Sequence, residues 1–336
     1  MKRITTLIFT CMFACLITSA WSIEYEICDL GVIDDFVNIY ADSVNNRGEV
    51  VGRAYNSNNT AVRAFAWDSV NGIRFIGDLG SEAFEINNNG IATVRRIDGW
   101  SLWDSVNGLQ DMEPNIGGFC INDLGQLAYL SNMWDPINGV TPIPLLPGFD
   151  SNYASAINNN SQVIGNANAQ YPFVRGFIWD SINGTRNIGC LSGYYSSYAL
   201  GVNDLGQIVG DCRDSTQSTR RAYIWDSVNG IQDLGISGGA SDINNAGQIV
   251  GNNSSGATFV MDSMRNITYL PTLVSGKNAR AIAISEDGLI VGRSLTADNK
   301  WHAVMWTPVP EPSSMIALGV GLLPLAGVAL KRRRER

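Results

Sequence analysis

The sequence is poor in charge and, above all, in basic residues. Charged residues make up 16% of the 336 residues, against about 25% in an average soluble protein. Only four lysines occur, two of them at the extreme ends (Lys2 and Lys331), and the net charge is −8. A nucleic-acid partner is therefore not expected, because such binding needs a basic face. The single histidine, His302, argues against a histidine-based metal site and a Ser–His–Asp triad. No metal or cofactor is predicted.

Turn-forming and aromatic residues are abundant instead. The chain has 35 glycines and 32 asparagines, which exclude a helical bundle. Hydrophobic residues reach 45% and include nine tryptophans, which is enough to support a packed core. An all-β fold is the prediction.

The first 22 residues have the three parts of a secretory signal peptide. Lys2 and Arg3 form the charged start, residues 4–17 are mostly apolar, and Ala20-Trp21-Ser22 supplies a cleavage site. The alternative, a short membrane anchor, would be too short to span a bilayer well. We predict export through the Sec machinery, with residues 1–22 removed.

The C-terminal end, residues 308–336, has a second three-part signal. It begins with Val309, Pro310, Glu311 and Pro312, continues with a predicted transmembrane helix over 315–330, and ends in a basic cluster that contains Arg332, Arg333 and Arg334. By the positive-inside rule this cluster stays in the cytoplasm, so the body is tethered to the inner membrane by its C-terminus. The tail resembles the PEP-CTERM sorting signal of Gram-negative bacteria. The resemblance implies an exosortase as partner, cleavage near the Pro-Glu-Pro motif, and a destination at the cell surface or outside the cell.

One unit of about 40 residues is repeated seven times between the two signals. Its clearest element is Ile/Val-Asn-x-x-Gly-x-Ile/Val-Val-Gly, which ends the seventh copy as Val291-Gly292. Its Asn slot is filled by Asn45, Asn87, Asn122, Asn158, Asn203 and Asn244, and by Ser285 in the seventh copy. Repeats of this period indicate a solenoid or a propeller.

Two further elements complete each repeat, an aromatic-x-Trp-Asp-Ser-Val-Asn-Gly segment and a sequence close to Asp-Leu-Gly. Asn-Gly turns between short alternating segments predict four antiparallel strands per repeat. Such meanders bury their faces by stacking around an axis. The seventh repeat lacks its last strand, and Tyr25 to Gly31 supplies a matching one. We predict a seven-bladed β-propeller over residues 23–307, closed by this N-terminal strand beside the strand of residues 303–306. The repeats resemble the HAF repeats of extracellular bacterial proteins.

Candidate site residues come from the turns. The six turn asparagines either cap their own turns or form a ligand-facing ring of amides around one mouth of the channel. The Asp-Ser-Val-Asn-Gly turns could offer calcium ligands, but turn capping by the aspartate is the favoured interpretation, since the spacing of a calcium loop is absent. The repeated tryptophans are expected to pack between blades rather than to bind sugar.

Four cysteines remain after residue 22, namely Cys28, Cys120, Cys190 and Cys212. An exported location permits disulfides, and four cysteines allow three pairings, among which the sequence does not choose. Cys190 and Cys212 lie around one predicted hairpin and form the favoured pair.

These observations favour a non-enzymatic surface or matrix propeller that binds glycan or protein in the extracellular polymer layer, with exopolysaccharide as a candidate partner. One alternative is a propeller enzyme that acts on polysaccharide, a lyase or hydrolase with carboxylates at the channel mouth. Residues that break the repeat, such as Glu85, Arg95-Arg96 and Glu286-Asp287, would be its signature. A purely structural spacer is the other alternative.

Overall fold

The computed structural model describes residues 23–113, 116–169 and 173–309. These residues form 27 strands, and none of their segments is a helix long and apolar enough to cross a membrane. The predicted signal peptide (1–22) and the predicted transmembrane helix (315–330) lie outside the described residues.

The strands are short and follow one another closely. In chain order they are β1 (Tyr25–Asp29), β2 (Phe36–Val44), β3 (Val50–Asn56), β4 (Val62–Asp68), β5 (Gly72–Phe75), β6 (Glu82–Ile86), β7 (Ala92–Arg95), β8 (Trp100–Asp104), β9 (Gly108–Asp111), β10 (Cys120–Ile121), β11 (Leu127–Tyr129), β12 (Asn132–Asp135), β13 (Gly139–Pro142), β14 (Ser151–Ile157), β15 (Val163–Asn168), β16 (Val174–Asp180), β17 (Gly184–Asn187), β18 (Ser196–Val202), β19 (Ile208–Arg213), β20 (Arg220–Asp226), β21 (Gly230–Ile243), β22 (Ile249–Asn253), β23 (Thr258–Met261), β24 (Ile267–Tyr269), β25 (Ala279–Ile284), β26 (Ile290–Leu295) and β27 (Trp301–Pro308).

The strands pair into antiparallel meanders that resemble propeller blades. Within the described ranges there are five four-stranded sheets and one seven-stranded sheet. The seven-stranded sheet contains two units that share β21, whose first part pairs with β20 and whose second part pairs with β22. We number the four-stranded units in chain order: unit 1 (β2–β5), unit 2 (β6–β9), unit 3 (β10–β13), unit 4 (β14–β17), unit 5 (β18–β21), unit 6 (β21–β24) and unit 7 (β25–β27 with β1).

Unit 7 contains both ends of the described chain. Strand β1 lies antiparallel to β27, with Tyr25 opposite Pro308 and Asp29 opposite Val304. The predicted pairing of the N-terminal segment with the strand of residues 303–306 is therefore present. A side-chain contact across the same pair joins His302 Nδ1 to Asp29 Oδ2 at 2.8 Å. The lone histidine thus connects the two ends of the repeat region.

The first turn of each unit, between its first and second strands, follows directly from the Asn-x-x-Gly motif. In unit 1, Asn45 Oδ1 accepts hydrogen bonds from the backbone N–H groups of Arg47 and Glu49, both at 3.0 Å. The fourth turn residue, Gly48, has a φ of 73°, in the left-handed region where glycine is favoured. Both capping bonds recur in units 2 to 5, with Ser161 in the glycine position of unit 4. In unit 7 Ser285 replaces the asparagine, and its Oγ accepts the N–H of Leu289 at 3.1 Å.

The Asp-Ser-Val-Asn-Gly segments form the turns between third and fourth strands. Asp68 Oδ1 accepts the backbone N–H groups of Val70 at 3.0 Å and Asn71 at 2.8 Å. The same capping bonds form at Asp104, Asp180 and Asp226. The aspartates act as turn caps, as Asx turns do.

The core lies between neighbouring units. Trp103 of unit 2 packs in one cluster with Val51 and Ala64 of unit 1. Trp306 of unit 7 is fully buried beside Val250 of unit 6, and its Nε1 donates to the carbonyl of Pro271 at 2.7 Å. These repeated tryptophans are packing residues, because each covers the face that its own unit cannot bury alone.

Candidate binding site at the central channel

A central cavity of about 470 Å³ is lined by residues from all seven units. These residues come from the end of each first strand and from the first turn. In six units the first strand contains a β-bulge just before this turn. The bulged residues all line the cavity; they are Asp42, Phe84, Glu85, Ser155, Leu200, Ser241 and Ile282. Bulges re-aim side chains, which explains how differing residues at one repeat position reach the channel.

The six asparagines that were expected to face a ligand are almost completely buried in the channel wall, and four of them, Asn87, Asn122, Asn158 and Asn203, line the cavity. Each is 1–4% exposed. Each donates its amide to the backbone carbonyl at the same position in the next unit, at 2.9–3.1 Å, from Asn45 to Asn87 through to Asn244 and Ser285. The amides of Asn45, Asn87, Asn122, Asn158, Asn203 and Asn244 therefore join neighbouring units, and their ligand-facing role stays a prediction.

The next residue of every turn forms the mouth. At this position each backbone N–H donates to the side-chain oxygen of the corresponding residue in the following unit, at 2.7–2.9 Å. The series returns to its starting point, since Glu286 donates to Asn46. We call this closed set the turn-mouth ring; its members are Asn46, Asn88, Asp123, Asn159, Asp204, Asn245 and Glu286.

The turn-mouth ring was missed from the sequence, although a signal was present. Only Asn, Asp or Glu fills this position in the seven copies, so every member carries a side-chain oxygen. The turn-mouth ring is thus formed by the residue that follows each of the six predicted asparagines, and Ser285 in unit 7. Side-chain direction decided between the two neighbouring positions, and that direction depends on the turn geometry rather than on the repeat.

The turn-mouth ring is anionic. Asp123 Oδ2 accepts amide hydrogen bonds from Asn88 at 2.9 Å and Asn159 at 3.2 Å. Burial raises the pKa of Glu286, and the charges of Asp204, Asp123 and Asp287 raise it further. The mouth therefore presents carboxylate oxygens whose negative charges repel one another.

Two more carboxyl groups lie deeper in the channel. Glu85 Oε2 accepts the N–H of Ile121 in the next unit at 2.9 Å, and Asp242 Oδ2 accepts the N–H of Ile284 at 3.0 Å. Burial raises the pKa of Glu85 to about 8, against the lowering effect of the Ile121 hydrogen bond. Burial likewise raises the pKa of Asp242 to about 7. Both groups can thus hold a proton near neutral pH.

The other repeat-breaking residues are engaged in local contacts. Arg95 forms an ion pair with Glu82, and Arg96 forms ion pairs with Asp98 and Asp111. Both arginines lie in unit 2, and neither lines the central cavity with Glu85.

The channel has a second end, opposite the turn-mouth ring. The first strands reach it about five residues before the turn, which is roughly 16 Å along a strand. We call this end the far mouth and define it by Tyr40, Glu82, Tyr153, Tyr198 and Arg280, the residues five positions before the turn Asn or Ser in units 1, 2, 4, 5 and 7.

Three aromatic rings cluster beside the far mouth. The ring centroids of Phe84 and Trp100 are 5.6 Å apart, and Phe119 lies 4.9 Å from each of them. Phe119 is 38% exposed. It lines both the central cavity and a second cavity of about 760 Å³ between units 2 and 3, which Trp100 and Tyr129 also line. The aromatic cluster of Phe84, Trp100 and Phe119 thus joins the two cavities.

The two cysteines of the favoured pair meet in unit 5. Their Sγ atoms lie 3.3 Å apart as free thiols, and Cys212 is fully buried. Cys28 is exposed and Cys120 is buried.

The sorting signal starts where the last strand ends. The backbone N–H of Val309 donates to the carbonyl of Glu24 at 2.8 Å. The remaining motif residues Pro310, Glu311 and Pro312 and the basic residues Arg332, Arg333 and Arg334 lie outside the described residues.

Comparison with known proteins identifies the C-terminal signal. Residues 308–334 match the model of the PEP-CTERM protein-sorting motif. This motif implies export, membrane-anchored sorting and processing by an exosortase. A comparison with curated proteins found no similar sequence.

Comparison with solved structures identifies the fold. The chain is similar to a streptogramin B lyase, with 8% identity over 85% of this chain and 98% of that one and a TM-score of 0.51. It is similar to U3-55K, with 10% identity over 84% and 98% and a TM-score of 0.53. It is also similar to the WD40 repeats of RRP9, with 11% identity over 84% and 97% and a TM-score of 0.50. WD40 repeats form β-propellers, so the chain has a β-propeller fold. Identities this low carry no information on activity.

Proposed function

We propose that this protein is an exosortase-processed β-propeller of the cell surface or extracellular polymer layer that binds glycan without altering it chemically. The sorting motif at residues 308–334 supports the export and the processing. Exosortase is the expected partner at the inner membrane, and the Sec machinery is the expected route across it.

The propeller of this proposal has seven blades and is closed by the N-terminal strand. Seven four-stranded units, the pairing of β1 with β27, and the return of the turn-mouth ring from Glu286 to Asn46 support it. Closure leaves no unpaired edge between first and last blades, which protects the exported body from edge-to-edge association.

One observation carries the binding function, namely the aromatic cluster that joins the channel to the cavity between units 2 and 3. Trp100 is not one of the repeated packing tryptophans, since it begins β8 opposite Arg95 instead of occupying the buried slot. Half-exposed aromatic faces at a concave site suit the apolar C–H faces of sugar rings, and neighbouring polar groups give them orientation.

A glycan-array screen of the purified full-length chain tests this proposal. We expect saturable binding that Trp100→Ala and Phe119→Ala abolish, while Tyr269→Ala retains it. Tyr269 is a suitable control because it is 61% exposed and lies on an outer strand of unit 6, whereas the aromatic cluster lies in units 2 and 3. Absence of saturable binding to any glycan would favour the structural spacer.

The carboxyl groups in the channel favour a second candidate, a polysaccharide lyase or hydrolase. Glu85 and Asp242 both hold protons near neutral pH, as general acids and bases do. Measuring the chain length of a polysaccharide incubated with the protein distinguishes a binding protein from an enzyme. A binding protein leaves it unchanged over hours, whereas an enzyme shortens it and loses that activity in Glu85→Gln.

A further inference from the structure

Unit 7 differs from the other units at the far mouth. The residue five positions before the turn lies opposite a residue of the second strand, and in five units this pair is neutral or complementary: Tyr40 and Arg53, Glu82 and Arg95, Tyr153 and Asn166, Tyr198 and Asp211, Gly239 and Asn252. In unit 7 the two residues are Arg280 and Arg293. Like charges placed directly opposite destabilise a sheet, so this pair is costly to the fold.

No carboxylate of the described residues forms an ion pair with either arginine. Asp42 acts on Arg293 through its charge, but its hydrogen bonds come from Arg53, whose Nε and Nη2 donate to it at 2.8 and 2.7 Å. Arg53 therefore occupies the two oxygens that could have compensated Arg293. Burial lowers the pKa of Arg293, and the charges of Arg280 and Arg53 lower it further, while Tyr40 and Asp42 act in the opposite direction without cancelling the shift. Arg280 and Arg293 thus lie side by side without an ion-pair partner among the described residues, in a chain whose net charge is −8.

Arg293 is held in place by aromatic rings. Its Cζ lies 4.0 Å from the ring centroid of Tyr40 and 5.2 Å from that of Trp301. Its Nε is buried and has no hydrogen-bond partner among the described residues. Stacking of this kind orients a guanidinium without neutralising it. The group is thus fixed, charged and short of an acceptor.

We infer that Arg280 and Arg293 form an anion subsite that binds the acidic groups of an anionic polysaccharide. This inference rests on the proposed function and specifies the class of glycan. A guanidinium matches the geometry of a carboxylate or sulfate group, and an uncompensated pair of them accepts such a group in place of the missing counter-charge.

The anion subsite and the aromatic cluster belong to one surface. Tyr40, on which Arg293 stacks, pairs across the strands with Arg53. The Cζ of Arg53 lies 5.6 Å from the ring centroid of Phe84, a member of the aromatic cluster. A glycan chain at the far mouth can therefore place an acidic group at unit 7 and a sugar ring at units 2 and 3.

Affinity electrophoresis of the full-length chain tests the inference, with alginate as the carboxylate polymer, dextran sulfate as the sulfate polymer and dextran as the neutral one. We expect Arg280→Gln/Arg293→Gln to weaken binding of an anionic polymer by about tenfold or more, since each charged hydrogen bond is worth roughly that factor. The preferred polymer, alginate or dextran sulfate, identifies the acidic group. Added salt should weaken the wild type more than the double variant.

Arg220→Gln is the matched control. Arg220 is exposed and lies opposite Arg213, but Arg213 has an ion pair with Asp211. This control removes one positive charge from the third strand of unit 5, outside the anion subsite, and should change binding by less than about twofold, as expected for a solvated charge. The double variant should keep or raise the wild-type melting temperature, because it removes a repulsion.

The outcomes separate the inference from the proposed function. Equal losses in the double variant and the control, or no loss in either, would overturn the anion subsite. Binding of dextran alone, lost in Trp100→Ala, would overturn the anion subsite and leave the glycan-binding function standing. Binding of none of these polymers, together with an empty glycan array, would overturn both.

Discussion

Asn46 and Glu286 are 240 residues apart in the chain, yet the backbone N–H of Glu286 donates to the side-chain oxygen of Asn46 at 2.9 Å. This bond connects the first unit to the seventh. The other six bonds of the turn-mouth ring connect units that are consecutive in the chain. The contact between Asn46 and Glu286 is therefore the one that turns a row of hydrogen bonds into a circle.

Loss of this contact should weaken the whole domain. Asn46→Ala removes the acceptor and deletes the hydrogen bond from the N–H of Glu286, which should lower the free energy of unfolding by about 1 kcal/mol. Urea denaturation measures the change. Asn46→Asp is the control, because Asp123 and Asp204 already serve as acceptors at this position. Equal destabilisation by both variants would show that the acceptor is not the cause.

Removal of the N-terminal strand should be much more harmful. Deleting residues 23–31 strips β1 from β27 and eliminates the contact of Asp29 with His302. We expect the melting temperature to fall by about 10 °C or more, since a whole edge strand is lost. Removal of residues 310–336 should leave it nearly unchanged. Calorimetry of both truncations decides, and a stable protein without residues 23–31 would argue against closure by this strand.

The channel carboxyl groups should make stability depend on pH. Because burial raises the pKa of Glu85 to about 8, the folded state disfavours its charged form. Stability should then fall as the pH rises from the unfolded-state value of about 4.3 towards 8. Glu85→Gln keeps an oxygen for the N–H of Ile121 and should gain about 1–2 kcal/mol over the wild type at pH 8.5, allowing for solvent in the channel. Because the pKa of Asp242 is also raised, the Glu85→Gln variant should keep part of the dependence of stability on pH.

Asp68→Asn is a control of opposite sign for that experiment. Despite partial desolvation, hydrogen bonds from Asn71, Arg74 and Val70 hold the pKa of Asp68 at about 2. Its stabilising effect is present above the unfolded-state pKa and is lost as the pH falls. The variant should therefore lose stability relative to the wild type at neutral pH and approach it in acid. Urea midpoints at pH 3, 5 and 8.5 distinguish the two behaviours. A wild-type midpoint that does not fall between pH 5 and 8.5 would contradict the Glu85 prediction.

Oxidation should join Cys190 to Cys212. The sulfurs are 3.3 Å apart, the residues are 22 apart in sequence, and exported proteins meet an oxidising compartment. A bridge across a loop of this length should add about 3 kcal/mol to the free energy of unfolding. Peptide mapping without reduction should recover the two cysteines in one linked pair. Recovery of Cys28 in that pair would contradict the prediction.

The sequence by itself determined the repeating parts of this protein. Asn-x-x-Gly and Asp-Ser-Val-Asn-Gly specify their turns through bonds that span two to four residues, so the strands between them follow from local chemistry. The partner of the N-terminal strand was also predictable from the repeat pattern, because the seventh repeat lacks a fourth strand beside β27. The PEP-CTERM signal was readable because it is a contiguous motif.

Only the tertiary structure decided what the repeat positions face. Asn45 and Asn46 are identical residues side by side, and the turn sends the first between units and the second to the mouth. The lack of an ion-pair partner for Arg293 could not be predicted either. The sequence does not show that Asp42 hydrogen-bonds to Arg53 and not to Arg293, because strand register decides this. These outcomes depend on neighbours tens to hundreds of residues away, whose positions are set by how the units pack around the axis.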